Sequence, residues 1–374
     1  MAGAGEIDFA AEGLLGDLEG EAREARLALL SQLAAEGVPL EEMREAVAAG
    51  RLTLLPVERA IAGDGPRYTP REISEQTGIV HDQLQRFRAA LGVRYGDPDA
   101  PIATAADLEA ARRTRELLDA GLPVEGLVQT ARTVGMGAAR IAQANRELTI
   151  RSLTGPGDTE RDVANRFAAA AESLLPLVGP VLVYAFELNL LEQVRRDVIG
   201  AADLAAGEIG GASELTVCFA DLVEFTRLGE EIAPEELGQV ASRLEEMATA
   251  VARPPVQLVK TIGDAAMFVS PEPEPMLAAA LELVGAAEAE GEQFPWLRAG
   301  LASGSVLPQW GDYYGRPVNL ASRITALARP GSVVAEAAVR EAAGEDAYRY
   351  TFIGERRLKG IDSGVKLFRA RTRA

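Results

Sequence analysis

Apolar and polar positions follow two rhythms along this chain, one helical and one strand-like. Over residues 1–65, Ala, Leu and Glu recur at helical spacing, as in GLLGDLEGEAREARLALLSQLAAEG, and Gly37 offers a stop. Residues 66–95 predict a short helix from Pro70, a turn at Thr77–Gly78, and a second helix through Leu84, Phe87 and Leu91. Two short helices around a glycine outline a helix-turn-helix. Helical spacing continues from Asp158 to Val198 through the apolar run LLPLVGPVLVYAF, Leu174–Phe186. That run falls short of the roughly 20 residues a membrane-spanning helix needs and contains Pro176 and Pro180, so no transmembrane segment is predicted. It reads instead as a segment buried in protein. The glycine-rich stretch AADLAAGEIGGASE then marks a domain boundary near residue 210.

Beyond it the rhythm changes. LTVCFA (Leu215–Ala220) is a buried-strand run, PVQLVKTIGDAAMFVS predicts two strands around Ile262–Gly263–Asp264, and LRAGLASGSV and SVVAE are further strands. Helical stretches at 234–251, 275–288 and 317–328 lie between them. The alternation predicts an α+β sandwich with helices on one face of the sheet.

Charge and composition narrow the partners. The chain carries 38 basic and 56 acidic side chains in 374 residues, a formal charge of −18, with 48% hydrophobic residues. This excludes disordered, collagen-like and disulfide-stapled classes and works against general affinity for phosphate backbones or anionic lipid. Cys218 is the sole cysteine, and MAGAGEIDFAAEG lacks the pattern of an export signal, so a cytoplasmic setting is expected. Residues 66–150 resemble the winged helix-turn-helix of MerR-type regulators, yet hold 11 basic and 11 acidic residues and no basic stripe, so no nucleic acid partner is expected. Only Lys260, Lys359 and Lys366 are lysines; an arginine excess of this kind fits coding bias, and a lysine that survives it fits a position that uses a compact ammonium.

Asp221 closes the strand LTVCFAD, and Asp264 sits in the hairpin turn KTIGD. If those strands are neighbours, both carboxylates project from one edge, a hard-oxygen pair suited to Mg²⁺ or Mn²⁺. Taken singly, each is equally a turn former or helix cap. Asn319 and Arg323 are four apart in PVNLASRIT and share one helix face.

CFADLVEFTRLGE, VKTIGDAAMFV and GDYYGRPVNLASRITALARPG, in this order, resemble the three signature blocks of class III nucleotidyl cyclases. The resemblance covers residues 213–370 and implies a ferredoxin-like catalytic domain. It implies that Asp221, Asp264 and the Leu222 carbonyl hold two divalent ions on ATP, and that Lys260 and Asp312 read the purine edge. Asn319 would orient the ribose, Arg323 would stabilise charge on the α-phosphate, and Lys359 would reach the terminal phosphates. The purine pair favours ATP over GTP, because adenine offers an acceptor at N1 and a donor at N6.

The whole arrangement is similar to soluble bacterial acid-sensing adenylyl cyclases: a helical regulatory domain over 1–187, winged helix-turn-helix-like over 66–150, a linker over 188–212 and a catalytic domain over 213–374. The resemblance implies a symmetric homodimer with sites shared between two copies. Autoinhibition and acid sensing are implied for the N-terminal part. The proton could be read by His81, the only histidine, or by crowded carboxylates among the 13 acidic residues of the first 65. The apolar run either lines a small-molecule or lipid pocket or packs in a core or dimer interface. Two other functions stay open: a DNA-binding regulator with a cyclase-derived sensory domain, and a guanylyl cyclase.

Overall fold

A computed structural model describes residues 7–63, 65–94, 96–153, 155, 157–199, 212–291, 293–361 and 364–373. It divides into two compact units, Met1–Ala201 and Ala202–Ala374. The glycine-rich second half of the predicted linker lies outside the described residues.

The first unit is built from helices α1 (Gly20–Ala35), α2 (Leu40–Ala48), α3 (Leu55–Ala62), α4 (Pro70–Thr77), α5 (His81–Ala90), α6 (Ala105–Asp119), α7 (Val124–Leu153) and α8 (Glu160–Ile199). Leu29, Leu30, Leu33, Met43, Leu52 and Leu55 form one core, which Ala164 of α8 joins. Arg26 donates to both carboxylate oxygens of Glu160 at 3.1 and 2.9 Å, and the Thr53 hydroxyl donates at 2.9 Å, fixing the start of α8.

A second core of Ile73, Ile79, Leu84, Phe87, Leu108 and Val128 organises the helix-turn-helix. Thr69 and Glu72 form a capping box at the start of α4, and Gly78 ends it in the left-handed region at φ 69°. Tyr68 and Ala103 pair as an isolated β-bridge. Several arginines here are engaged by carboxylates: Arg71 with Asp99, Arg86 with Glu125, Arg88 with Asp107 and Arg115 with Asp119.

The long α8 carries the apolar run beyond the core of its own unit. Leu177, Val181, Tyr184 and Phe186 are each more than 60% exposed within this chain, so the apolar run is not buried by its own unit. Distance along the helix explains it: the run begins ten residues past Ala164, about 15 Å beyond the core that buries that alanine. Pro176 and Pro180 sit inside the helix. Alanines before the run and leucines after it extend the apolar character: an 18-residue window within Glu160–Val194 reaches a mean hydropathy of 1.8, and the helix is long and apolar enough to cross a membrane. Length and composition alone are also met by helices that pack on protein.

The second unit holds β1 (Ser213–Leu222), α9 (Phe225–Glu231), α10 (Pro234–Val251), β2 (Gln257–Ile262), β3 (Ala265–Ser270), α11 (Pro273–Ala289) and β4 (Leu297–Gln309). There follow β5 (Asp312–Tyr314), α12 (Arg316–Leu327), β6 (Val333–Glu336), α13 (Ala337–Ala343), β7 (Tyr348–Arg356) and β8 (Val365–Thr372). The sheet order is β2-β3-β1-β4-β6-β8-β7, with β5 paired to β4. The segment β1–β4 with its two longer helices is a split βαβ of ferredoxin-like type. Only the β4–β6 pair is parallel among the described strands.

Helices cover both faces of this sheet rather than one. Cys218, Ala220 and Leu222 of β1 point to the face packed by α10, α11 and α13, where Leu244, Leu283 and Val339 are buried. Val217 points to the opposite face, against Leu320, Ala321 and Ile324 of α12. The period-2 alternation within β1 serves both layers, so apolar residues occupy both registers of one strand. Burial pushes the Cys218 thiol up to about 12, making it a core residue without nucleophilic character.

Candidate active site

Antiparallel pairing sets Asp221 of β1 opposite Ala265 of β3, directly after the Gly263–Asp264 turn. Gly263 takes φ 60°, as a two-residue hairpin turn requires at its first position. The Leu222 N–H donates to the Asp264 carbonyl at 2.9 Å, tying the end of β1 to that turn. The two carboxylates therefore share one edge of the sheet. Burial raises the Asp264 carboxyl, and the negative charge of Asp221 raises it further, against the opposing pull of Arg298. Two acids crowded closely enough to feel each other, beside the end of β1, are a donor set that suits a hard divalent cation.

Arg298, on β4, was not singled out from the sequence. It lies opposite Asp221 in the β1–β4 ladder and donates twice to Asp221 Oδ2, from Nε at 3.0 Å and from Nη2 at 2.6 Å. Its Nη1 also donates to the Ala326 carbonyl of α12 at 3.3 Å. This leaves Asp221 Oδ1 without a hydrogen bond from Arg298. The signal lay in LRAGLA, where one guanidinium interrupts an otherwise apolar strand and must find a carboxylate.

Lys260 and Asp312, 52 residues apart, are in direct contact, Nζ against Oδ2, with both side chains about one-third exposed. Lys260 comes from β2 and Asp312 from the first position of β5, just past a tight turn in which Trp310 and Gly311 take φ 55° and 81°. Asp312 Oδ1 also accepts the Tyr313 N–H at 2.9 Å, which fixes its orientation. A cationic donor and an anionic acceptor thus stand side by side on an accessible surface.

The helix α12 buries Pro317, Leu320, Ala321, Ile324 and Thr325 as one stripe. Asn319 and Arg323 each precede a member of that stripe and lie along its edge, Asn319 exposed and Arg323 half-buried. The helix sits unusually close to β4: a Cβ on Gly300 would stand 2.3 Å from the Thr325 nitrogen, so only glycine permits this approach. The Thr325 hydroxyl donates to the Phe219 carbonyl of β1 at 3.1 Å. Arg323 reaches the loop after β7, where Nη2 is 3.8 Å from the Cβ position of Gly360, next to exposed Lys359. Three groups therefore form within this unit: Asp221, Asp264 and Arg298 at one sheet edge, Lys260 with Asp312, and Arg323 beside Lys359–Gly360. No cluster of three or more His, Cys, Asp or Glu suited to a metal occurs among the described residues.

Comparison with known proteins gives these groups a family. Residues 7–194 match the adenylate cyclase regulatory domain, and residues 209–369 match the adenylate and guanylate cyclase catalytic domain. The chain is 40% identical to pH-sensitive adenylate cyclase MT1302 of Mycobacterium tuberculosis over 364 residues, 96% of this chain and 91% of that protein. An adenylate cyclase of Streptomyces coelicolor is 36% identical over 290 residues, 77% of this chain and 74% of its own. Among solved structures, the adenylyl cyclase CyaB from P. aeruginosa aligns over 43% of this chain and 94% of its own, with 19% identity and a TM-score of 0.40. With both halves matched and identity sustained over nearly the full length, the chain belongs to the adenylate cyclases that join this regulatory domain to a class III catalytic domain.

Proposed function

We propose that the chain converts ATP to 3′,5′-cyclic AMP and pyrophosphate at sites shared between two copies, under control of its N-terminal unit. The observation that carries this reading is the contact between Lys260 and Asp312. An ammonium donor beside a carboxylate acceptor complements the N1 and N6 positions of adenine and mismatches the corresponding edge of guanine. A buried polar group left unpaired costs about 1–3 kcal/mol, or one to two decades of selectivity.

In the reaction the ribose 3′-oxygen bonds to the α-phosphorus, the bond from that phosphorus to the α,β-bridging oxygen breaks, and pyrophosphate leaves. Asp221, Asp264 and the Leu222 carbonyl would hold Mg²⁺ or Mn²⁺, two per site, which when bound neutralise the triphosphate and favour ionisation of the 3′-hydroxyl. Arg298 keeps the Asp221 carboxylate in one rotamer through its paired donors and offsets the repulsion between the two acids. Asn319 orients the ribose, Arg323 compensates the charge that grows on the α-phosphate, and Lys359 draws the terminal phosphates toward the same loop.

We take sharing between copies from the resemblance to class III cyclases. Each chain carries a metal-binding edge and a complete purine, ribose and phosphate group, so a two-fold pair would build two equivalent sites. The pH sensitivity named for the mycobacterial relative extends naturally to this chain. We assign the sensing to the N-terminal unit, with the continuous helix through 188–199 carrying its state toward the catalytic unit. The test is turnover of ATP and of GTP with Mg²⁺ or Mn²⁺ across pH, for the full chain and for residues 201–374. The reading predicts a strong ATP preference, and higher activity with a flatter pH profile for the fragment. GTP turnover equal to that of ATP would overturn the purine assignment, and a fragment no more active than the whole would overturn autoinhibition.

A further inference from the structure

Glu336 is the one charged side chain that is buried among the described residues, at 6% exposure. It ends β6 and precedes α13, and the proposed reaction gives it no task. A carboxylate withdrawn from water needs a partner of comparable value. Its Oε1 accepts the Ser303 N–H at 2.7 Å. The parallel β4–β6 ladder stops at Leu301 opposite Ala335, so the carboxylate takes over the hydrogen bonding of β4 where backbone pairing on that side ends. On the other side, the Ser303 hydroxyl lies 2.8 Å from that of Thr216 on β1. Burial raises the Glu336 carboxyl, while the Ser303 bond and the positive charge of Arg316 on α12 draw it back.

What this clamp holds is the root of an arm. The described β1–β4 pairing ends at Ser213 opposite Val306, and beyond it β5 is the one partner of β4 among the described strands. A two-stranded ribbon is weakly stable by itself and takes its direction from its base. Gln309, the last residue of β4, lies six residues past Ser303, about 20 Å along an extended strand, and pairs with Asp312. A small rotation at the root is therefore magnified at Asp312. The start of α12 presses on the same root, since a Cβ on Gly315 would stand 2.7 Å from the Ser305 carbonyl oxygen.

We propose that Glu336 is a positioning residue for purine selection, holding the base of the β4–β5 arm so that Asp312 stays in register with Lys260. The inference rests on the reading of Lys260 and Asp312 as the purine-recognising pair. It concerns alignment and not chemistry at phosphorus, so its mark is a change in KM and in ATP-over-GTP preference at nearly constant kcat.

The experiment compares the full chain with E336A, E336D, E336Q, D312A and the E336A/D312A double variant, each checked for folding by circular dichroism. In E336A and E336D, KM for ATP should rise about tenfold and the ratio of kcat/KM for ATP over GTP should fall by a similar factor, as expected for losing one aligned polar contact. The kcat should stay within about threefold. E336Q keeps an oxygen to accept the Ser303 N–H and should restore the ratio to within about twofold of wild type. In the D312A background, E336A should lower the ratio no further, because both act through one contact. If E336A does not fold, E336D decides, since it retains the charge and only withdraws the oxygen from Ser303. A wild-type ratio in folded E336D, or full additivity in the double variant, would overturn the assignment while leaving the purine pair intact. An unchanged ratio in D312A would overturn both.

Discussion

The two units of this chain treat their apolar side chains in opposite ways. In the catalytic unit both faces of the sheet are covered by its own helices, and the polar groups that matter stand at strand ends and helix edges. In the N-terminal unit the cores are small, and the apolar stretch of α8 remains outside them. A self-contained core can hold side chains to fractions of an ångström, as catalysis demands. A unit with an uncovered helix face is suited to changing what it touches, as regulation demands. Chemistry should therefore fail sharply when single catalytic residues change, and the N-terminal unit should respond in small, graded steps.

The largest effect is expected at the paired acids. Asp221→Ala or Asp264→Ala should lower turnover by about a thousandfold or more, since several kcal/mol of charge compensation is lost. Steady-state cyclic AMP formation checks this, and retained activity would erase the contrast between the units. Next is Arg323→Ala, with kcat lower by about two to three decades and little change in KM, as for a group acting mainly on developing charge.

A smaller effect is expected at Arg298. Arg298→Gln should weaken Mn²⁺ affinity about tenfold or more by freeing the Asp221 rotamer, the usual cost of losing a partner behind a metal ligand. Titration followed by electron paramagnetic resonance reads this without turnover. The smallest effect belongs to the N-terminal unit. Burial pushes the Glu160 carboxyl up, but the bonds from Arg26 and Thr53 and the Arg26 charge outweigh it and hold the group below its usual range. Its contribution is thus fully present above the unfolded carboxyl pKa and is lost as pH falls through the lower folded value. Glu160→Gln should cost about 1 kcal/mol at pH 7 and flatten the fall in stability below about pH 4.5, measured by urea unfolding.

Legibility in the sequence followed the agreement of local signals. The strand LTVCFA, the hairpin at Ile262–Gly263–Asp264 and helix 234–251 were readable because apolar periodicity and turn residues agree there. Strands β7 and β8 were not predicted. In β7 most positions are partly or fully exposed, and charged or polar residues such as Arg349 and Glu355 break the alternation, with a bulge between Phe352 and Gly354. The second helical layer was missed because α12 looks like any other amphipathic helix, and only tertiary packing decides which face of a sheet it takes. The same limit hid Arg298 and Glu336, whose meaning lies in cross-strand partners far away in sequence. The apolar run is uncovered within its own unit, because hydrophobicity announces a surface to be covered, not the element that covers it.

The most direct test of shared sites is complementation. Asp221→Ala and Arg323→Ala chains, each nearly inactive alone, should regain activity when co-expressed with different tags in equal amounts. Random pairing makes half the dimers mixed, each with one intact site of two, so about one quarter of wild-type turnover is expected. Recovery near that level would support a site built from two copies. No recovery, with mixed dimers demonstrated by tandem affinity purification, would contradict it.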